Sequence, residues 1–221
     1  MSPRTDPSRS SLPLPAGNFS TWVSGMQRAL RGDASSDVAC GDCTACCTSS
    51  QFVHIGPEEA STLAHIPSEL LFAAPRLPKG HLVLGYDQNG HCPMLVDHQC
   101  SIYEHRPLTC RTYDCRIFPA VGMEREPAEK PEIARQAQRW EFTFATRADR
   151  RRHAAARAAA AMFRTQPGRF SAGVVPSNPT QLAVLAIEIH DVFLRTDADT
   201  GRVAVISPRP EDVEVEIVHR K

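Results

Sequence analysis

Four cysteines fall within eight residues, Cys40-Gly-Asp-Cys43-Thr-Ala-Cys46-Cys47, and four more follow at Cys92, Cys100, Cys110 and Cys115. The chain after Cys115 has none. Eight thiols in one stretch are bonded either to each other or to a metal. The compartment decides between these. The N-terminal segment MSPRTDPSRSSLPLPAGNFS has no apolar core of a secretory signal. The longest apolar run, Leu182 to Ile187, falls far short of the roughly 18 residues of a membrane span. The expectation is therefore a cytoplasmic protein without a membrane partner, and there thiols stay reduced. Clustered cytoplasmic cysteines read as metal ligands, and a bond between the neighbours Cys46 and Cys47 would be strained.

Charge narrows the partners. Lys and Arg together number 25, as do Asp and Glu, so the net charge is zero. No basic excess of the kind that binds nucleic acid is present. The 221 residues, 42% hydrophobic, suffice for one domain with appendages or two small ones. No phosphate-binding glycine loop, nucleophile elbow or H-E-x-x-H motif occurs.

Patterning along the chain predicts an α+β protein. Its centre would be a small, irregular, metal-stabilised cysteine-rich domain with short hairpins and flanking helices. Residues 1–17 read as a disordered tail, 18–118 as a helix plus the cysteine-cluster domain, and 119–221 as an α/β extension packing on it. Phe19, Trp22, Val23, Met26 and Leu30 share one helical face. Residues 51–55 read as a strand, and Pro57 as the start of a helix reaching Ile66. Residues 67–80 read as loop with a turn of helix near 69–73. His81–Tyr86 and Cys92–Val96 read as a hairpin around Asn89-Gly90. Leu108–Thr112 reads as a short helix carrying Cys110, residues 119–138 are charged and proline-bearing, and 140–144 read as a strand. Residues 147–163 and 181–195 read as helices, and Val203–Ile206 with Val213–Val218 as a final hairpin.

The spacing Cys40-x2-Cys43-x2-Cys46 lets the backbone curl three thiolates around one centre, and Gly41 and Ala45 ease that curl. Bacterial ferredoxins use such a run, with a remote cysteine completing the cluster. Zinc takes four thiolate or imidazole ligands, commonly from paired C-x2-C knuckles, and only the first group here has that spacing. Both an iron–sulfur cluster and Zn2+ stay open as cofactor, as do one centre or two. Neighbouring side chains diverge, so Cys46 and Cys47 feed different centres or one of them stands back. Arg106, Arg111 and Arg116 flank the last cysteines and would offset thiolate charge. Tyr103 reads as a packing residue. His91 and His98 are the histidines nearest to cysteines and read as turn residues. Arg147, Arg150, Arg151, Arg152 and Arg157 read as the solvated face of a helix.

Two stretches, CGDCTACC and CPMLVDHQCSIYEHRPLTCRTYDC, resemble the YkgJ-like cysteine-cluster family with its CxxCxxCC zinc- or iron-chelating domain. The shared features are the first cluster, Cys92-Pro93-Met94-Leu95, Cys100-Ser-Ile102-Tyr103 and Arg106-Pro107-Leu-Thr-Cys110-Arg111. They span residues 40–118. The resemblance implies metal binding through Cys40, Cys43, Cys46, Cys47, Cys92, Cys100, Cys110 and Cys115, in a redox or accessory role. It leaves open a structural zinc module that serves a protein partner. Flagellin lysine methylase carries a similar cluster, which leaves open a protein-modifying enzyme, although nothing in 119–221 matches that protein.

Overall fold

A computed structural model describes residues 12–34, 36, 38, 42–123 and 130–220. The strands are β1 (Leu14–Asn18), β2 (Val53–Ile55), β3 (Leu71–Ala73), β4 (Leu82–Leu84), β5 (Leu95–Val96), β6 (Gln99–Cys100), β7 (Trp140–Thr143), β8 (Leu194–Thr196) and β9 (Val203–Val205). The helices are α1 (Phe19–Leu30), α2 (Ala60–Leu63), α3 (Leu108–Thr112), α4 (Ile117–Ala120), α5 (Pro131–Gln138), α6 (Arg147–Thr165), α7 (Pro179–Ile189) and α8 (Pro210–His219). The fold is α+β, as expected.

The chain folds into two compact units. One gathers 12–27, 115–123 and 137–220 of the described residues; the other gathers 28–114 and 130–136. This division departs from an 18–118 domain followed by a 119–221 extension. The reason lies in β1, which pairs in parallel with β7, Leu14 opposite Trp140. The same pairing corrects the expectation of a disordered tail for residues 14–17: Leu14 N–H donates to the Arg139 carbonyl at 2.6 Å, and Ala16 is buried. Residues 1–11 of that expected tail lie outside the described residues.

In the first unit, α6 begins at a capping box. Thr146 Oγ1 accepts from the Asp149 N–H, and Asp149 accepts from the Thr146 N–H. Ala155, Ala156, Ala159 and Ala160 form its buried face, and these small side chains let α7 come close with Ala183, Ala186 and Ile187. Asn178 caps α7, and Pro179 stands at its first position. Phe19, fully buried, is ringed by Trp22, Phe142, Phe144 and His153.

Two expectations fail in this unit. Val203–Val205 pairs with Leu194–Thr196, and residues 213–218 are helical. Pro210 at the first helical position, followed by Glu211 and Asp212, starts that helix. The helix expected over 181–195 ends at Ile189, and residues 194–196 are strand β8.

In the second unit, β4 is the central strand between β2 and β3. Val53, Ile55, Leu84, Ile66 and Ile102 form its core, with Leu63, Leu70, Leu71, Met94, Cys92 and Cys100 packed on it. Leu71–Ala73 is thus a strand where loop and helix were expected. The helix expected from Pro57 starts only at Ala60, and the charged, proline-bearing residues 119–138 include α5. The turn at Asn89-Gly90 forms, with Gly90 N–H on the Asp87 carbonyl at 2.9 Å, yet the hairpin lies one turn later. β5 pairs with β6 around Asp97 and His98, whose φ values of 49° and 62° fit the two left-handed positions of a tight hairpin turn. Among the described residues no helix is long and apolar enough to cross a membrane.

Candidate metal centre

Six of the expected cysteine ligands, Cys43, Cys46, Cys47, Cys92, Cys100 and Cys110, belong to the second unit. Cys40 lies outside the described residues. None of the seven described cysteines is in a disulfide. Cys46 and Cys47 ride on one helical turn, closed by Thr48 N–H on the Thr44 carbonyl at 3.0 Å and by Ser49 Oγ on the Ala45 carbonyl. Cys43 lies just ahead of this turn.

Backbone bonds tie that turn to the next cysteine. The Cys92 N–H donates to the Cys47 carbonyl at 2.7 Å, and the Ser50 N–H to the Gly90 carbonyl at 2.8 Å. Cys92-Pro-Met-Leu95 is itself a turn, closed by Leu95 N–H on the Cys92 carbonyl at 2.9 Å. Cys100 enters from β6, where it pairs with Leu95. Cys110 sits in α3, which starts after Pro107. The Glu59 carboxylate fixes that start: one oxygen accepts from the Leu108 N–H at 2.5 Å, the other from the Gly56 N–H at 2.8 Å. Thr109 Oγ1 adds a bond to the His54 carbonyl at 2.8 Å, fastening α3 to β2.

Cys110 is an exposed residue, yet the atoms packed around its thiol push it up to about 12, and negative charge at Cys92, Cys47 and Cys100 pushes the same way; the Arg106 guanidinium opposes them. Burial also raises Cys92; the backbone amides of Met94 and Leu95 offset part of this, and Cys100 adds to it. Cys47, Cys92 and Cys100, from three other segments, thus act on the Cys110 thiol, and Cys100 acts on Cys92. Two of them rest on the apolar core. Among the described residues no three Cys, His, Asp or Glu side chains already close on a single point. As a donor set, soft thiols fit a thiophilic cation, which favours their ionised form.

Cys115 falls in the other unit. It is 6% exposed, and the Trp140 indole N–H donates to its sulfur at 3.2 Å. Arg116, expected beside thiolates, instead donates to the Ala16 carbonyl at 3.4 Å and stands over the Trp140 ring. Arg106 does act on a thiol, and its guanidinium lies 3.6 Å over the Tyr103 ring. Tyr103, expected to pack inside, is exposed. Arg111 donates to the Arg106 carbonyl at 3.1 Å. His98 occupies the hairpin turn, and the His91 N–H is held by Asp87 Oδ1 at 2.8 Å. Of the arginine run, Arg152 bonds Ser20 and Ser24, and Arg150 lies over Phe144. Sequence reasoning missed Glu59 and Lys130. Lys130 Nζ donates to the Ser49 carbonyl and, at 3.1 Å, to that of Ser50. Neither carries a motif; the acid near a helix start was the only available signal for Glu59.

No curated protein and no solved structure matches the chain. A family model does match, over residues 39–142, just under half of the length. That span contains all eight cysteines, the turn that carries Cys46 and Cys47 and the helix that carries Cys110. Its description agrees with a cofactor that is an iron–sulfur cluster or Zn2+: residues 39–142 match the model of the CxxCxxCC family, the "putative zinc- or iron-chelating domain".

Proposed function

We propose that the chain holds a metal centre through the thiolates of Cys47, Cys92, Cys100 and Cys110, with Cys40, Cys43 and Cys46 as a further group of ligands, and that an iron–sulfur cluster is its occupant. The observation that supports the metal reading is that one unit ties together a turn, a loop, a strand and a helix that each carry a cysteine: the Cys92 N–H donates to the Cys47 carbonyl, Cys100 pairs with Leu95, and Thr109 fastens the helix of Cys110 to β2. The run Cys40-x2-Cys43-x2-Cys46 favours the cluster over a single ion, because ferredoxins grip clusters with such a run. An iron–sulfur cluster would supply one-electron chemistry and zinc a cross-link between segments. Cys115 is read as a packed thiol outside the ligand set.

The protein's own residues divide the work. Glu59 and Thr109 place Cys110, the Cys47–Cys92 backbone bond sets the first group against the second, and Arg106 offsets negative charge at Cys110. A role as a redox or accessory protein of the cytoplasm follows from reduced thiols and a soft-metal site. The second reading, a structural zinc module serving a protein partner, is favoured by the packing of Cys92 and Cys100 on the small core. Anaerobic purification with metal, acid-labile sulfide and visible-spectrum analysis tests the assignment. Iron, sulfide and broad absorption near ~400 nm are expected. Colourless protein with stoichiometric zinc turns the conclusion to the structural module, and protein that takes up neither overturns the metal reading.

A further inference from the structure

The turn that carries Cys46 and Cys47 is too short to hold itself. A single helical turn fixes several dihedral angles for one or two hydrogen bonds, and such a nucleus is unfavourable alone. Its last carbonyls also have no partner further along the turn, and they form its negative end. Lys130 meets both needs. Its ammonium donates to the carbonyls of Ser49 and Ser50, immediately after the turn, from a chain segment far from the first cysteines. The opposite side of the same link is held by Ser50 N–H on the Gly90 carbonyl and by Cys92 N–H on the Cys47 carbonyl.

We propose that Lys130 is a positioning residue of the metal centre: it pins the end of the cysteine turn, so that Cys46 and Cys47 are presented to the metal before it arrives. The proposal rests on the reading of Cys47 as a ligand. Preorganisation of this kind shows in affinity, because the ordering of the turn otherwise has to be supplied by the metal.

The test uses full-length protein and zinc ion as the probe, with affinity measured by chelator competition and with melting and circular dichroism of the metal-free protein alongside. Lys130→Met is expected to bind zinc about tenfold or more weakly, the size of one lost charged hydrogen bond, while the metal-free fold is retained. Lys130→Arg is expected to recover most of the loss, since a guanidinium donates to the same carbonyls. Zinc affinity of Lys130→Met equal to wild type overturns the proposal. If that variant fails to fold, Lys130→Gln takes its place: affinity equal to wild type overturns the proposal, and a loss that Lys130→Arg reverses supports it. Failure of the underlying reading looks different, since wild type and Cys47→Ser would then bind zinc equally.

Discussion

The indole N–H of Trp140 donates to the sulfur of Cys115 at 3.2 Å, inside a core where Cys115 is 6% exposed and Trp140 5%. That bond, together with the burial of Cys115, supports the proposed reading of Cys115 as a thiol outside the ligand set. Cys115→Ala is therefore expected to leave metal content at the wild-type level while lowering stability by about 1–2 kcal/mol, from lost contacts and an orphaned indole N–H. Metal analysis and a denaturant melt check both halves. Metal loss as large as that of Cys110→Ser would return Cys115 to the ligand set.

The four-thiol group makes a sharper demand. Cys47→Ser, Cys92→Ser, Cys100→Ser and Cys110→Ser should each reduce bound metal. Chelation of wild type should lower the melting temperature, because metal binding and folding of this unit are coupled. Cys46→Ser should behave differently from Cys47→Ser, since Cys47 joins the Cys92–Cys100–Cys110 group. Identical metal loss from the two neighbours would argue for one indivisible centre.

Gly90 has φ of +80°, and an added Cβ would run into Ser50 Oγ. Gly90→Ala is expected to cost about 1 kcal/mol or more from the left-handed backbone alone, and to loosen the Ser50–Gly90 link as well. Weaker metal retention than wild type in a chelator challenge is the expected outcome. Unchanged retention would show that the link is dispensable.

Two groups of the first unit give a pH signature. Burial depresses His190 below its ordinary value of 6.5, against the carbonyl of Ile187. The neighbouring Ser20 hydroxyl, the Asn18 amide and the capping bonds of Thr146 hold the Asp149 carboxyl well below its ordinary 3.8. Both have folded values lower than unfolded ones, so the unfolded chain binds more protons and stability falls as pH falls. The His190 contribution is complete above about pH 6.5 and fades below it; the Asp149 contribution fades below about pH 4. The stability gap between wild type and His190→Gln should narrow from pH 7.5 to pH 5, and that for Asp149→Asn only in stronger acid. A gap that widens on acidification contradicts the assignment.

How far the sequence could be read depended on whether the deciding force was local. Pro107 ahead of Leu108–Thr112, the capping box of Thr146 and Asp149, and the alternation in Trp140–Thr143 are local signals, and those elements form where expected. Leu14–Asn18 contains Pro15 and Gly17, poor strand residues, and only pairing with distant β7 makes it a strand. The run Val213-Glu-Val215-Glu-Ile217 alternates like a strand. Yet its buried members, Val213 and Ile217, are four apart, while Val215 is 56% exposed, so the helical period prevails. At the site, cysteine order was legible and grouping was not, because the partners of Cys47 come from three distant segments.

The parallel pairing of β1 with β7 has a consequence for biosynthesis. A chain leaves the ribosome from its N-terminus, and long-range pairings must wait for both partners. β1 and α1 emerge first and stay unmatched, while every segment carrying Cys47, Cys92, Cys100 and Cys110 is made before Trp140. The thiols therefore reach the cell's metal and redox pools while the unit that brackets them is still being translated. Metal delivery to the nascent chain, and exclusion of oxidants during that interval, bear directly on the yield of loaded protein.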